Sequence, residues 1–267
     1  MKKKIILAVS LVTLVTLSAC GSKSTDLQDK IKDKGKIVVA VSPDYAPFEF
    51  KALVNGKDKI VGSDIELAQN IADELGVKLE LSSMSFNNVL SSLQTKKSDI
   101  AISGLSYTKE RAKVYDFSKP YYETENAVLI LKKDSATYTN KDSLKGKKVA
   151  VLKGTIEETL SKEQFKGANI VSLTNMGEAI NELKTGHVQA VDLEGPVAEG
   201  YIAQNSDITK ASFHLKVSDG DAKAIAIPKG NKKLKKSIDK VITKLKKSDK
   251  YQTYIKDAAQ LTGKATE

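Results

Sequence analysis

Short β-branched runs alternate with amphipathic helical stripes along this chain, and that alternation constrains its fold more than any other feature. Lys36–Val41 (KIVVAV) reads as a strand, and SPDYAPFEF behind it as a proline-punctuated loop. Ser63–Leu75 (SDIELAQNIADEL) sets Ile65, Ala68, Ile71, Ala72 and Leu75 on one helical face, and Gly76 ends it. Residues 77–81, 99–102, 127–131, 188–193 and 222–227, with Lys148–Leu152, are predicted strands. Residues 87–93, 175–183, 196–204 and 232–246 are predicted helices, the second opening on the capping pair Asn175 and Glu178. Strands interleaved with helices place the chain in the α/β class with largely parallel sheets.

The first residues set the compartment. Lysines at 2–4 precede an apolar stretch that is too short to cross a bilayer, and Leu17-Ser18-Ala19-Cys20 follows. This is the layout of a secretory leader, and Leu-Ser-Ala-Cys resembles a bacterial lipobox, in which cleavage leaves a lipid-modified cysteine at the new N-terminus. Cys20 is the only cysteine, so an intramolecular disulfide is impossible and an anchor is its expected role. Residues 1–19 are therefore read as a lipoprotein signal peptide, and 20–35 as a lipid-anchored tether whose start, 21–25, is small and polar. The rest is long enough for one large domain or two small ones. The net charge of +10 does not argue for nucleic acid, because the lysines are dispersed and aromatics make up only 6% of the chain. Dispersed lysines suit solvated helix faces near an anionic cell surface.

Two stretches share one layout. LQTKKSDIAISG (93–104) and LKTGHVQAVDLE (183–194) each run from a helix end through a polar turn into a buried strand. Ligands of open α/β sheets bind beyond the carboxyl ends of strands, which nominates 103–111 and Glu194 as facing sides of a cleft. At the first, Ser103 and Ser106 supply hydroxyls, Gly104 permits close backbone approach, and Arg111 carries a planar fork suited to a carboxylate. Thr108 would cap the helix that follows. Arg111 could instead pair with Glu110, Asp116 or another surface acid. Glu194 could receive an ammonium, or serve only as an acid at a helix start. The turn from Leu152 to Glu157 offers backbone N–H groups and the Thr155 hydroxyl to an anion but lacks phosphate-loop spacing.

Enzymatic patterns are poor. His187 and His214 are the only histidines and lack metal-ligand spacing. No nucleophile elbow, dinucleotide fingerprint or catalytic cysteine occurs, and nothing calls for a cofactor or metal.

SPDYAPFEF, GSDIELAQNIADEL, SGLSYTKERAKVYDFSKPYY, VLKGT and VQAVDLEGPVA together resemble the polar amino acid substrate-binding lipoproteins of bacterial ABC importers, extracellular solute-binding family 3. The third stretch is the most specific. The resemblance covers nearly all of the chain after the leader. It implies a type II periplasmic-binding-protein-like fold, two α/β lobes joined by two extended crossover strands. Lobe 1 would comprise 36–122 plus 222–267, and lobe 2 would comprise 123–221. By resemblance Arg111 binds a ligand α-carboxylate, helped by the backbone of Ser106 and Thr155. The Gly104 carbonyl, the Ser106 hydroxyl and Glu194 take the α-ammonium, although many relatives carry Asp in place of Glu194. Tyr45 stacks on the ligand side chain, Phe86 forms a second wall, and Leu152 and Glu157 line the side-chain end. Ser42 stands where relatives for basic amino acids or glutamine often carry Asp, and Asp44 is not at that place.

The implied function is capture of histidine, arginine, lysine or glutamine by a monomer on the extracytoplasmic face of the cell membrane, for delivery to a permease and its ATPase. Cystine or another polar amino acid is the alternative ligand. A cyclohexadienyl dehydratase-like enzyme on the same scaffold is the rival from another class, and a receptor sensing module the third reading.

Overall fold

The computed structural model describes residues 26–217, 221–262 and 265. The leader and Cys20 lie outside them.

Two five-stranded sheets repeat one plan. The first runs Lys78–Ser83, Lys36–Val41, Ile100–Ala101, Ala226–Pro228 and Tyr115–Phe117. Its first three strands are parallel, with Lys36 beside Lys78 and Val39 beside Ile100, and its last two run antiparallel to their neighbours. The second runs Asn169–Leu173, Lys148–Leu152, Ala190–Glu194, Asn126–Leu131 and Ile208–Lys210, again three parallel strands followed by an antiparallel pair. The shared layout in the sequence thus corresponds to two similar α/β lobes, with antiparallel edges that periodicity does not reveal.

Helices cover these sheets with the faces their apolar spacing dictates. Ser63–Leu75 buries Leu67, Ala68, Ile71, Ala72 and Leu75 against the first sheet and ends on Gly76 in the left-handed conformation. Each large apolar side chain so buried contributes about 1.5–3 kcal/mol relative to exposure. Met176–Lys184 buries Met176, Ala179, Ile180 and Leu183 on the second, and the Asn175 side chain accepts from the Glu178 N–H as the capping pattern predicts.

Three segments depart from expectation. Within the predicted tether, Leu27–Asp33 is a helix: Ile31 is fully buried in the first core, and Ser237 Oγ donates to Gln28 Oε1 at 2.8 Å. The predicted strand 222–227 is split. Asp221–Lys223 pairs with Tyr122–Thr124, whereas Ala226–Pro228 enters the first sheet. This antiparallel pair lies on the two passages between the sheets. Finally, the loop after Lys36–Val41 leads into a hairpin, Glu49–Val54 against Lys57–Val61. Its turn is Asn55-Gly56, both residues at positive φ, a readable signal that the sequence analysis passed over.

Gly62 joins that hairpin to the first long helix at φ +132°, and a Cβ there would lie 2.1 Å from the Phe48 carbonyl oxygen. Gly62→Ala is therefore expected to cost about 2 kcal/mol or more in stability, measured by urea unfolding; a change within about 0.5 kcal/mol would refute this packing.

Candidate functional site

The loops at the carboxyl ends of the two sheets face each other across a narrow cleft. Gly104, Ser106 and Arg111 line it from the first lobe, with Tyr45 and Phe86 as aromatic walls. Thr155, Glu157 and Glu194 line it from the second. Ile156 is a lining residue that the sequence analysis did not nominate.

Local structure explains each placement. Thr108 caps the helix Lys109–Val114, its Oγ1 accepting from the Arg111 N–H at 3.1 Å, so Arg111 sits in the first turn with its side chain returned toward the loop. Its guanidinium donates to the Ser106 carbonyl at 2.6 Å and to the Gly154 carbonyl, across the cleft, at 2.8 Å. Phe86 stands 6.0 Å from it, within cation–π range. Thr155 caps the helix Ile156–Gln164, which places buried Glu157 in that helix's first turn, where the macrodipole favours a carboxylate. Glu194 ends the strand Ala190–Glu194 and stands at the N-cap position of Gly195–Gln204 without a side-chain capping bond.

Ser42, Ser103 and Leu152 do not line this cleft. The Ser42 hydroxyl donates to Asp44 Oδ1, and Ser103 Oγ accepts from the Ser42 N–H and donates to Glu49 Oε1 at 2.6 Å. Leu152 packs into the second core. A β-branched strand ending in small polar residues shows that a loop begins, but not which hydroxyls turn inward.

Behind the loop lies a buried acidic layer that the sequence analysis did not single out. Asp64 Oδ2 accepts from the Gly104 N–H at 2.8 Å and from the Tyr121 hydroxyl, and its Oδ1 accepts from the Tyr251 hydroxyl. Gly104 adopts φ +50°, and a Cβ there would lie 3.1 Å from the Tyr45 ring. Asp44 joins the lobes, its Oδ2 accepting from the Met176 N–H at 2.9 Å while the Tyr201 hydroxyl donates to its carbonyl. The other omission is Lys223, wholly buried, whose ammonium donates to Ser106 Oγ at 2.6 Å and to Glu194 Oε1. In sequence it reads as one lysine among many.

Burial is the main cause that pushes Glu49 well above the usual carboxylate range, and the neighbouring Asp64 carboxylate adds to it. Asp64 and Asp44 are also raised by burial, against the pull of their hydrogen bonds.

The sequence profile of the bacterial extracellular solute-binding proteins, family 3, matches residues 37–257. The arginine-binding extracellular protein ArtP of Bacillus subtilis is 37% identical over 210 residues, covering 78% of this chain and 79% of that protein. The L-cystine-binding protein TcyJ of Escherichia coli is 29% identical, covering 92% and 90%. An amino acid ABC transporter substrate-binding protein from Streptococcus pneumoniae, solved bound to L-arginine, is 52% identical with a TM-score of 0.87, covering 88% of this chain and 98% of that one.

The raised Glu49 fixes the sign of one pH dependence. The folded chain holds a proton that the unfolded chain releases, so this group's contribution to stability falls as pH rises above the ordinary carboxylate range. Glu49→Gln is expected to flatten that fall in urea unfolding measured from about pH 5 to 8. An unchanged slope would show that Glu49 is ionised in the fold.

Proposed function

The chain belongs to the bacterial extracellular solute-binding proteins, family 3, and on that premise we propose that it captures L-arginine in this cleft for an ABC importer. The observation that carries the reading is the position of Arg111: a half-buried guanidinium fork at the cleft between two lobes, flanked by Ser106 and Thr155. A fork of this kind binds a carboxylate through two parallel hydrogen bonds, and a closing cleft strengthens them by excluding water. Tyr45 and Phe86 provide flat apolar surfaces for a ligand side chain, and Glu157 an acid for its cationic end. The arginine-binding relatives named above support this choice of amino acid.

The protein acts by capture and release. The lobe built on the sheet that contains Lys36–Val41 and the lobe built on the sheet that contains Lys148–Leu152 close on the ligand about the paired passages Tyr122–Thr124 and Asp221–Lys223. Differential affinity of the ligand for the closed form biases that equilibrium, and the closed form is what the permease reads. No helix of the described residues is long and apolar enough to cross a membrane. A lipid on Cys20 would hold the monomer at the extracytoplasmic face.

A thermal-shift panel of the common amino acids tests the reading. L-arginine at a hundredfold excess over its dissociation constant should add about 2.7 kcal/mol of stability. In calorimetry, Arg111→Ala should weaken L-arginine at least a hundredfold. No response to L-arginine, or an affinity within tenfold in Arg111→Ala, would overturn the assignment.

A further inference from the structure

Ser106 and Glu194 approach each other from opposite lobes, and a cation already stands between them. The Lys223 ammonium donates to the Ser106 hydroxyl at 2.6 Å and to the Glu194 carboxylate, and the lysine side chain is 0% exposed. Its stem is held at the backbone: Lys223 pairs with Tyr122 in the two-stranded passage, bridges to Ser106, and accepts the Tyr121 N–H at its carbonyl. A lysine is rarely buried so completely, because a desolvated ammonium is costly unless acceptors surround it. Here a hydroxyl and a carboxylate that line the cleft are among the groups that hold it, with the buried Asp64 carboxylate also acting on it.

Resting on the reading of the cleft as an amino acid site, we propose that Lys223 is a specificity-determining residue, the resident cation of the Ser106–Glu194 subsite, so that the cleft selects carboxylates with a cationic tail and does not require an α-ammonium.

The charges support this. The Lys223 ammonium already pairs with Glu194, a carboxylate that lines the cleft with Arg111 and Glu157. The α-ammonium of L-arginine adds a further cation beside Lys223, and it must share Glu194 with it. In a closed, water-poor cleft that like-charge approach is poorly screened. An α-amine is therefore accommodated here without supplying the usual gain. The carboxylate at Arg111 and the tail between the aromatic walls carry the affinity.

Calorimetry on the wild-type protein with L-arginine and with 5-guanidinopentanoate, the same molecule without its α-amine, tests this directly. The two are expected to bind within tenfold of each other. In Lys223→Gln, which leaves Ser106 and Glu194 a neutral partner, the preference for L-arginine should rise at least tenfold, a ratio that a general loss of stability would not move. Wild-type binding of L-arginine alone, with the des-amino compound weaker by a hundredfold or more, would overturn the inference and leave the amino acid reading intact. Binding of neither compound would overturn both. Should Lys223→Gln not fold, the wild-type comparison still decides.

Discussion

The hydrogen bond from the Gly104 amide to the buried Asp64 carboxylate is the constraint on which the cleft depends. It holds the loop after Ile100–Ala101 against the start of the helix Ser63–Leu75, and the Tyr121 and Tyr251 hydroxyls hold the same carboxylate from the other side. A carboxylate this deeply buried is unfavourable by itself and persists because three donors converge on it. The result is a loop fixed in a left-handed turn, with the Tyr45 ring packed against it and Ser106 and Arg111 presented to the second lobe. Because Tyr251 lies in the first turn of Lys250–Leu261, the last helix among the described residues, that helix takes part in shaping a loop about 150 residues away in sequence.

From that loop outward, polar contacts join the two lobes at the cleft beside the packing of Tyr45 and Phe86 on the second core. Arg111 reaches the Gly154 carbonyl, Asp44 accepts from the first amide of Met176–Lys184, and Lys223 ties Ser106 to Glu194. Such bonds are directional and lost within about an ångström of displacement, which suits surfaces that must part and rejoin. At the passages the contact is apolar as well, where Phe48 enters the second core and packs edge-on against Tyr122.

Much of this was legible locally. Lys36–Val41, Ser63–Leu75 and Lys148–Leu152 have the boundaries their patterns predict, because the two strands are apolar runs buried on both faces of a sheet and the helix buries one face against a sheet. Thr108 and Asn175 announce helix starts for the same reason, a side-chain oxygen meeting an orphan amide. Arg111 and Glu194 stood out because their charges sit where strands end. Leu27–Asp33 was not legible as a packed helix, since its short stripe becomes meaningful only beside Lys232–Lys247.

The sequence by itself determined the α/β class, the doubling of the lobe plan and the strand ends from which a ligand would be met. These follow from apolar period, capping chemistry and turn residues, all of which act within a few neighbours. Tertiary structure alone decided which polar groups face the cleft and which stand behind it. Ser42 and Ser103 turn to Asp44 and Glu49, while Ser106 turns to Lys223. Lys223 is separated from Ser106 by more than a hundred residues and from Glu194 by 29, and the apolar run 222–227 around it marks a strand but not the groups its ammonium meets. Its meaning comes from the price of desolvating a charge, and that is set only when distant elements close around it.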